Sequence, residues 1–326
     1  MPKLNQRQKI FVFGTITLII IVAAATILFT PQNSENSAET DKLNVVATFY
    51  PLAYFAEEIG GDKLSIKQLI PDNTEVHNWQ PSTQDLLAIE KADVLLYNGA
   101  SLDHWFEEDI LPSIDLTNKF VVETTEGIQL LELDQNHQHE TQESDQHDHE
   151  ENYDPHTWVS LKIAEQQAEN IYDALVEKDP DNTDYFSQRW QTLQAKFDEL
   201  DNNYRNELAD KKKEEIFVSH SAFGYLANSY GFEQHGVIGI SADEQPSAST
   251  YTNLIEIMIQ HETYVVYVDP VYSEDYGQTL KNELERLSGH DVQILKLYFM
   301  LGEIDGLDYF EQQIKNLENL KIGLDA

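Results

Sequence analysis

Short runs rich in β-branched and aromatic residues alternate with helix-compatible stretches along most of this chain. They form two sets, at residues 43–48, 66–70, 93–97 and 120–123, and at residues 216–219, 236–240, 264–268 and 292–295. Such alternation is typical of parallel sheets, because parallel strands need a crossover connection that is usually a helix. The sequence therefore predicts an α/β fold of two lobes, each a parallel sheet covered by helices.

The segment between the two sets predicts one long amphipathic helix. Its large apolar residues recur at intervals of three or four from Phe186 to Leu208. A helix from about residue 183 to 209 would be roughly 40 Å long, which suits a rigid strut between two lobes. An ordinary helix packed within one domain is the alternative. On the first interpretation, residues 42–180 form an N-terminal lobe, 181–213 the linking helix and 214–326 a C-terminal lobe.

The N-terminus predicts a membrane segment. Residues 10–29 form an apolar stretch long enough to cross a bilayer, preceded by three basic residues and followed by none until Lys42. The chain has no cysteine, so a lipid-modified cysteine is excluded. We expect residues 1–29 to be an uncleaved anchor that leaves the rest of the chain outside the cytoplasm, with 30–41 as a flexible tether. A cleaved signal, giving a secreted or periplasmic protein, is the alternative.

The acidic balance of the chain limits its partners. A formal net charge of −37 argues against nucleic acid and anionic lipid, since phosphate contacts need lysine or arginine. The same charge suits a protein that binds cations or works in a salty environment.

An acidic, histidine-rich loop at residues 134–152 has no large apolar residue and cannot build a core. It carries four histidines, His137, His139, His147 and His149. Clustered imidazoles among carboxylates favour loose binding of a divalent cation such as zinc. The alternative is a solvated polar loop.

Four further residues stand where a site is expected. His77 lies in a proline-bounded loop after the second predicted strand, and His156 precedes a predicted helix. His220 and Asp269 directly follow predicted strands, and ligands of open α/β sheets bind outside the carboxyl ends of the strands. Three imidazoles and one carboxylate complete a tetrahedral zinc sphere, which binds the ion and leaves no position for catalytic water.

Motifs of hydrolases and nucleotide-binding enzymes are missing. The segment at His261 has valine where the second histidine of the zinc-peptidase pattern His-Glu-x-x-His belongs, and the sequence contains no Gly-x-Ser-x-Gly, P-loop or Gly-x-Gly-x-x-Gly. We therefore expect no enzyme. His104, His235, His261 and His290 have no companion motif and are interpreted as surface residues.

Ordered motifs from Leu43 to the C-terminus carry a family resemblance. They are Thr48-Phe49-Tyr50-Pro51-Leu52, Val76-His77, Gln80-Pro81-Ser82, Asp85-Leu86, Lys91-Ala92-Asp93, Tyr97-Asn98-Gly99, Asp154-Pro155-His156-Thr157-Trp158, His220-Ser221-Ala222-Phe223-Gly224-Tyr225, Gly239-Ile240-Ser241, Glu244-Gln245-Pro246-Ser247, Tyr309-Phe310 and Asn316-Leu317, together with the histidine-rich loop. With these motifs the chain resembles the zinc-specific substrate-binding proteins of ATP-binding-cassette importers. This is the ZnuA type within the metal-binding cluster that also holds manganese-binding lipoproteins.

The resemblance implies two lobes joined by a rigid helix, with His77, His156 and His220 as zinc ligands. The fourth position is Asp269, where glutamate is common in the family, and water as the fourth ligand stays open. The implied function is an extracytoplasmic, monomeric receptor that delivers Zn²⁺ to a membrane permease and its ATPase. A manganese or iron receptor of the same fold, or a zinc-dependent hydrolase, are the alternatives.

Overall fold

The computed structural model of the chain describes residues 42–326 except 78, 134–152, 241–244 and 273. The predicted anchor, the tether and the histidine-rich loop lie outside these residues. In the described part of the chain, no helix is both long and apolar enough to cross a membrane.

Two four-stranded sheets form the framework, and every strand pairing in them is parallel. The strands are β1 Leu43–Ala47, β2 Leu64–Gln68, β3 Val94–Tyr97, β4 Phe120–Glu123, β5 Glu215–His220, β6 Glu233–Ile238, β7 Val265–Val268 and β8 Gln293–Lys296. Their orders are β2-β1-β3-β4 and β6-β5-β7-β8. The two sheets therefore have the same order, and the predicted α/β fold of two lobes, each with a parallel sheet, is confirmed.

Helices connect the strands and cover the sheets. They are α1 Tyr50–Gly60, α2 Thr83–Lys91, α3 Leu161–Lys178, α4 Thr183–Glu207, α5 Gly224–Tyr230, α6 Ala248–Gln260, α7 Asp275–Ser288 and α8 Tyr309–Leu324. Short helical turns include the π-helix Trp105–Ile110 and the 3₁₀ helix Thr157–Val159. A connection between two parallel strands must bring the chain back to the end of the sheet where the first strand began, and α1, α2, α5, α6 and α7 are the crossovers of this kind that the alternating sequence predicts.

Residues Lys42–Ala326 form one compact unit with a core that runs through both lobes. The inner strands β3 and β7 are buried along their whole length, which explains their continuous apolar sequence. A smaller apolar cluster lies beneath α6 and α7. The main core includes Phe49 and Trp158 from the first lobe and Phe223 and Phe299 from the second. Shared apolar burial therefore holds the two lobes together.

The long helix α4 has 25 residues and is about 38 Å long. Its buried stripe contacts both lobes. Phe197 packs edge-on against Phe55 of α1, with ring centroids 5.6 Å apart, and Tyr204 stacks on Tyr230 of α5 at 4.7 Å. The predicted helix is confirmed, with its C-terminal end two residues earlier than expected.

The C-terminal helix α8 also crosses between the lobes. The hydroxyl of Tyr309 donates to the main-chain oxygen of Trp158 at 2.6 Å, and the Gln313 amide donates to the oxygen of Val159 at 2.9 Å. The indole N–H of Trp158 in turn donates to the oxygen of Phe299 at 2.8 Å. All of these groups are buried. Breaking one of these hydrogen bonds would leave a buried polar group without a partner, which costs free energy. The region directly behind His156 is thus firmly fixed to the second lobe.

Three strands begin earlier than the sequence predicts, and β5 does so by one residue, at Glu215 rather than Ile216. β2 starts at Leu64 rather than Ile66, and β6 starts at Glu233 rather than Gly236. In β6 the additional residues are polar and pair with the start of β5 at the edge of the sheet. An apolar pattern identifies only the buried part of such a strand, because an edge strand needs no apolar residues at its exposed end.

Candidate metal centre

His77 reaches the centre from the loop that follows β2. The neighbouring Val76 is buried and anchors the loop in the core. The main-chain N–H of His77 donates to Oε1 of Glu75 at 2.9 Å. Downstream, Ser82 and Asp85 form a capping box at the start of α2. These contacts fix the chain on both sides of His77.

His156 is fully buried just before the 3₁₀ helix Thr157–Val159. Oδ1 of Asp154 lies 2.8 Å from its ring Nδ1 and also accepts the His156 main-chain N–H at 2.9 Å. An ionised carboxylate only accepts hydrogen bonds, so Nδ1 carries the ring proton. The lone pair of the neutral ring is then on Nε2, and Asp154 both selects this tautomer and orients the ring.

His220 is the last residue of β5 and is also buried. Its ring Nε2 lies 2.8 Å from the main-chain oxygen of Ile240, so Nε2 is the proton-bearing nitrogen of the neutral ring. Within the described residues, Nδ1 is buried and has no hydrogen-bond partner. A buried nitrogen with a free lone pair suits coordination of a metal ion.

The three histidines converge on one point between the lobes. Each offers a ring nitrogen, and these nitrogens all lie within 4.8 Å of one another. Nε2 of His77 lies 3.3 Å from Nε2 of His156. A tetrahedral zinc ion with bonds of 2.0–2.1 Å separates its nitrogen ligands by about 3.4 Å. The spacing of these two nitrogens already matches that of two zinc ligands.

Burial keeps two of these rings neutral. It lowers the pKa of His77 well below its usual value, and the neighbouring His156 and His220 lower it further. Burial, followed by the electrostatic effect of the neighbouring His156, lowers the pKa of His220 to about 3. Neutral imidazole is the form that binds metal, so at pH 7 neither ring has to lose a proton first.

The match to a protein family agrees with this centre. The family described as zinc-uptake complex component A, periplasmic, or ZnuA, matches residues 45–323, which covers both lobes and all three histidines. The chain belongs to the ZnuA family.

Known relatives of this ZnuA-family chain include the high-affinity zinc uptake system protein ZnuA of Bacillus subtilis. It is 31% identical over 318 residues, covering 94% of this chain and 97% of the relative. The crystal structure of the metal-dependent lipoprotein YcdH from B. subtilis matches with a TM-score of 0.72 at 30% identity, covering 87% of this chain and all of the other. Zn(II)-bound AdcA of Streptococcus pneumoniae matches with a TM-score of 0.70 at 29% identity. This chain covers only 58% of AdcA, and the match covers 87% of this chain.

Asp269, the fourth residue predicted for the ZnuA-type site, lies just after β7 and is buried. Its Oδ1 accepts the main-chain N–H of Val271 at 2.8 Å, whereas Oδ2 is buried without a hydrogen-bond partner among the described residues. Burial raises the pKa of Asp269 to about 7. The group of side chains whose ligand atoms all lie within 4.8 Å of one another contains the three histidines and does not contain Asp269. The structure thus brings the three histidines together, and Asp269 stays a predicted ligand.

Several groups around the centre were not identified from the sequence. Asp154 is one of them, although its position two residues before His156 is a pattern that the sequence does show. Two other groups come from distant segments that give no such pattern, namely the main-chain oxygen of Ile240 and the ring of Phe299. The centroid of the Phe299 ring lies 5.1 Å from that of His156 and 5.6 Å from that of His220. His235 is also not simply on the surface, since it is partly buried and bonded to Glu215.

Proposed function

We propose that this chain is an extracytoplasmic receptor that binds Zn²⁺ between its two lobes and delivers it to an ATP-binding-cassette importer. The observation that carries the proposal is the convergence of three imidazoles, two of which have their nitrogens at the spacing of zinc ligands. His77 and His156 come from the first lobe and His220 from the second. A zinc ion bound by these three side chains would therefore link the two lobes.

The donor atoms favour zinc over manganese. Imidazole nitrogen suits zinc, whereas manganese prefers oxygen ligands such as carboxylates and water. The centre offers three nitrogens, with one buried carboxylate as the predicted fourth ligand. The names of the relatives, a high-affinity zinc uptake protein and a Zn(II)-bound protein, support the same choice. A manganese or iron receptor is correspondingly disfavoured.

We propose a receptor rather than a hydrolase because the chain belongs to a family of zinc-uptake components. A catalytic zinc centre also needs an open coordination position and a nearby general base beside a substrate. In our proposal Asp269 or a water molecule completes the sphere. The expected role of the site is then to hold and release the ion.

The partners belong to the same proposal. A receptor of this kind acts with a membrane permease and a cytoplasmic ATPase, and we propose that it does so as a monomer. We further propose that residues 1–29 anchor the protein in the membrane and that residues 30–41 form a tether. Residues 42–180 then form the N-terminal lobe, residues 181–213 the link and residues 214–326 the C-terminal lobe. The family description includes "periplasmic" and the names of two relatives include "lipoprotein", which agrees with a position outside the cytoplasm.

Metal analysis and competition test the function directly. We expect the full-length chain, purified without chelators, to carry zinc in preference to manganese and iron. A manganese excess of about 100-fold should not displace this zinc, because the three nitrogen donors suit it better. Manganese or iron in the purified protein, together with displacement of zinc by manganese, would contradict the proposal. The measurements are elemental analysis followed by equilibrium competition.

Substituting the four loop histidines should leave the tight site intact. The chain on both sides of the loop is fixed by a hydrogen bond of 2.9 Å from the Asp154 N–H to the Leu131 oxygen. The Tyr225 hydroxyl accepts from the Leu131 N–H at 3.0 Å and donates to the Asp154 oxygen at 2.8 Å. These contacts hold His156 in place whatever the loop contains.

We therefore expect the variant with His137→Asn, His139→Asn, His147→Asn and His149→Asn to keep its tight zinc equivalent. It should lose the weaker zinc equivalents that the loop supplies. Flexible ligands lose conformational freedom on binding, so they bind less tightly than a preorganised centre. Calorimetric zinc titration of this variant and the wild type measures both classes. Identical stoichiometry would mean that the loop binds no metal, and loss of the tight class would mean that it supplies a primary ligand.

A further inference from the structure

A second group of metal-binding side chains lies at the opposite end of β5 from His220. Glu215, Glu233 and His235 each offer a ligand atom, and these atoms all lie within 4.8 Å of one another. β5 has six residues, so its two ends are about 17 Å apart at 3.3 Å per residue. This group, called the edge site below, is therefore separate from the three-histidine centre.

The pairing of β5 with β6 builds the edge site. Glu215 is the Cα partner of Glu233, and Phe217 is the partner of His235. Alternate residues share one face of a strand, so the two carboxylates and the imidazole point to the same side. His235 also stacks on Phe217, with centroids 5.1 Å apart and an angle of 22° between the rings. The three groups are thus positioned by backbone pairing and ring packing.

Two carboxylates at directly paired positions repel each other and destabilise a sheet unless something neutralises them. Nε2 of His235 lies 2.5 Å from one oxygen of Glu215, and Nδ1 of His261 lies 3.7 Å from the other. The nearby lysines contact other groups. Lys213 donates to the Glu262 oxygen at 2.8 Å, and Lys212 to Asp325 at 3.0 Å. In the described part of the chain, the ion-pair partners of Glu215 are therefore the two histidines.

We propose that the edge site binds a divalent cation of the zinc class through Glu215, Glu233 and His235. Imidazole nitrogen and carboxylate oxygen are both ordinary zinc ligands, and three protein ligands leave one position for water. A bound cation would attract both carboxylates and so offset the repulsion between them. Glu233 is exposed, so an ion can reach the site from solvent. Because it has fewer nitrogens and more exposure, the edge site binds zinc more weakly than the three-histidine centre.

The test uses the full-length chain in detergent with the substitutions His137→Asn, His139→Asn, His147→Asn and His149→Asn, so that the loop histidines cannot bind zinc. This variant is called the parent chain below. Calorimetric titration with Zn²⁺ alone should show a tight class and a weaker class. Adding Glu233→Gln and His235→Gln should remove about one weaker equivalent and keep the tight one. His220 is on the same strand, so the retained tight class shows that β5 is still folded.

The matched control is the double variant Glu256→Gln and His290→Gln, which changes an exposed glutamate and an exposed histidine elsewhere in the same lobe. It should keep both classes. A second measurement needs no substitution in the edge site. When the weaker class fills, nuclear magnetic resonance should show shifts of the His235 ring signals and unchanged His290 signals. A parent chain without a weaker class, a Glu233/His235 variant that keeps it, or unshifted His235 signals would overturn the proposal.

Discussion

Replacing His156 with alanine is expected to weaken zinc binding on the order of 100-fold or more, because the centre would lose one of its three proposed nitrogen ligands. His77→Ala and His220→Ala should have similarly large effects. Nε2 of His156 lies 3.3 Å from that of His77, and the tautomer of the His220 ring exposes its buried Nδ1 to the ion. Water would have to replace each lost nitrogen, and it lacks the fixed position of the imidazole. Competition with a chromophoric zinc chelator measures the change.

His290→Ala is the control for these variants, because His290 is exposed in the second lobe, where its ring stacks on Tyr264 and contacts the main-chain oxygen of Ser288. Thermal unfolding in the presence of chelator would show whether each variant still folds. Equal zinc affinity in the wild type and all three variants would refute the assignment of the site. The same titration of Asp269→Asn addresses the fourth ligand. Unchanged affinity there would favour water or another group in that position.

The fold was largely predictable because its determinants are local. In inner strands such as β3 and β7, buried positions are apolar without interruption, and the stripe on α4 follows the helical repeat. The start of β6 was not predictable in this way. Glu233 and Gln234 are polar, and their place in the sheet is set by pairing with β5 rather than by burial. That early start also creates the edge site, which no spacing within the sequence indicates.

The centre was predictable where the sequence places a histidine at a recognisable structural boundary. His220 ends β5, and His156 lies directly before the 3₁₀ helix Thr157–Val159. The supporting contacts were not predictable, since the Ile240 oxygen that sets the His220 tautomer and the ring of Phe299 become neighbours only after the lobes pack. A main-chain oxygen has no residue type by which a sequence pattern could recognise it.

Asp154 supplies the contact with the largest expected effect among residues that do not bind the ion. Its Oδ1 holds both the ring N–H and the main-chain N–H of His156. This contact on the far side of the ring keeps the lone pair on Nε2 and fixes the orientation of the imidazole. Gly224 permits this arrangement, because a Cβ atom there would lie only 2.5 Å from Oδ2 of Asp154.

We expect Asp154→Ala to weaken zinc binding about 10- to 100-fold, the usual effect of removing such a partner from a metal-binding histidine. Asp154→Asn should weaken it less, because an amide oxygen still accepts both hydrogen bonds although it lacks the charge. Asp173→Ala, which changes an exposed aspartate on α3, is the control. Zinc competition gives the affinities, and thermal unfolding with chelator separates a positioning role from a purely structural one. If Asp154→Ala matched the wild type in affinity, orientation of His156 would have to come from burial and ring packing alone.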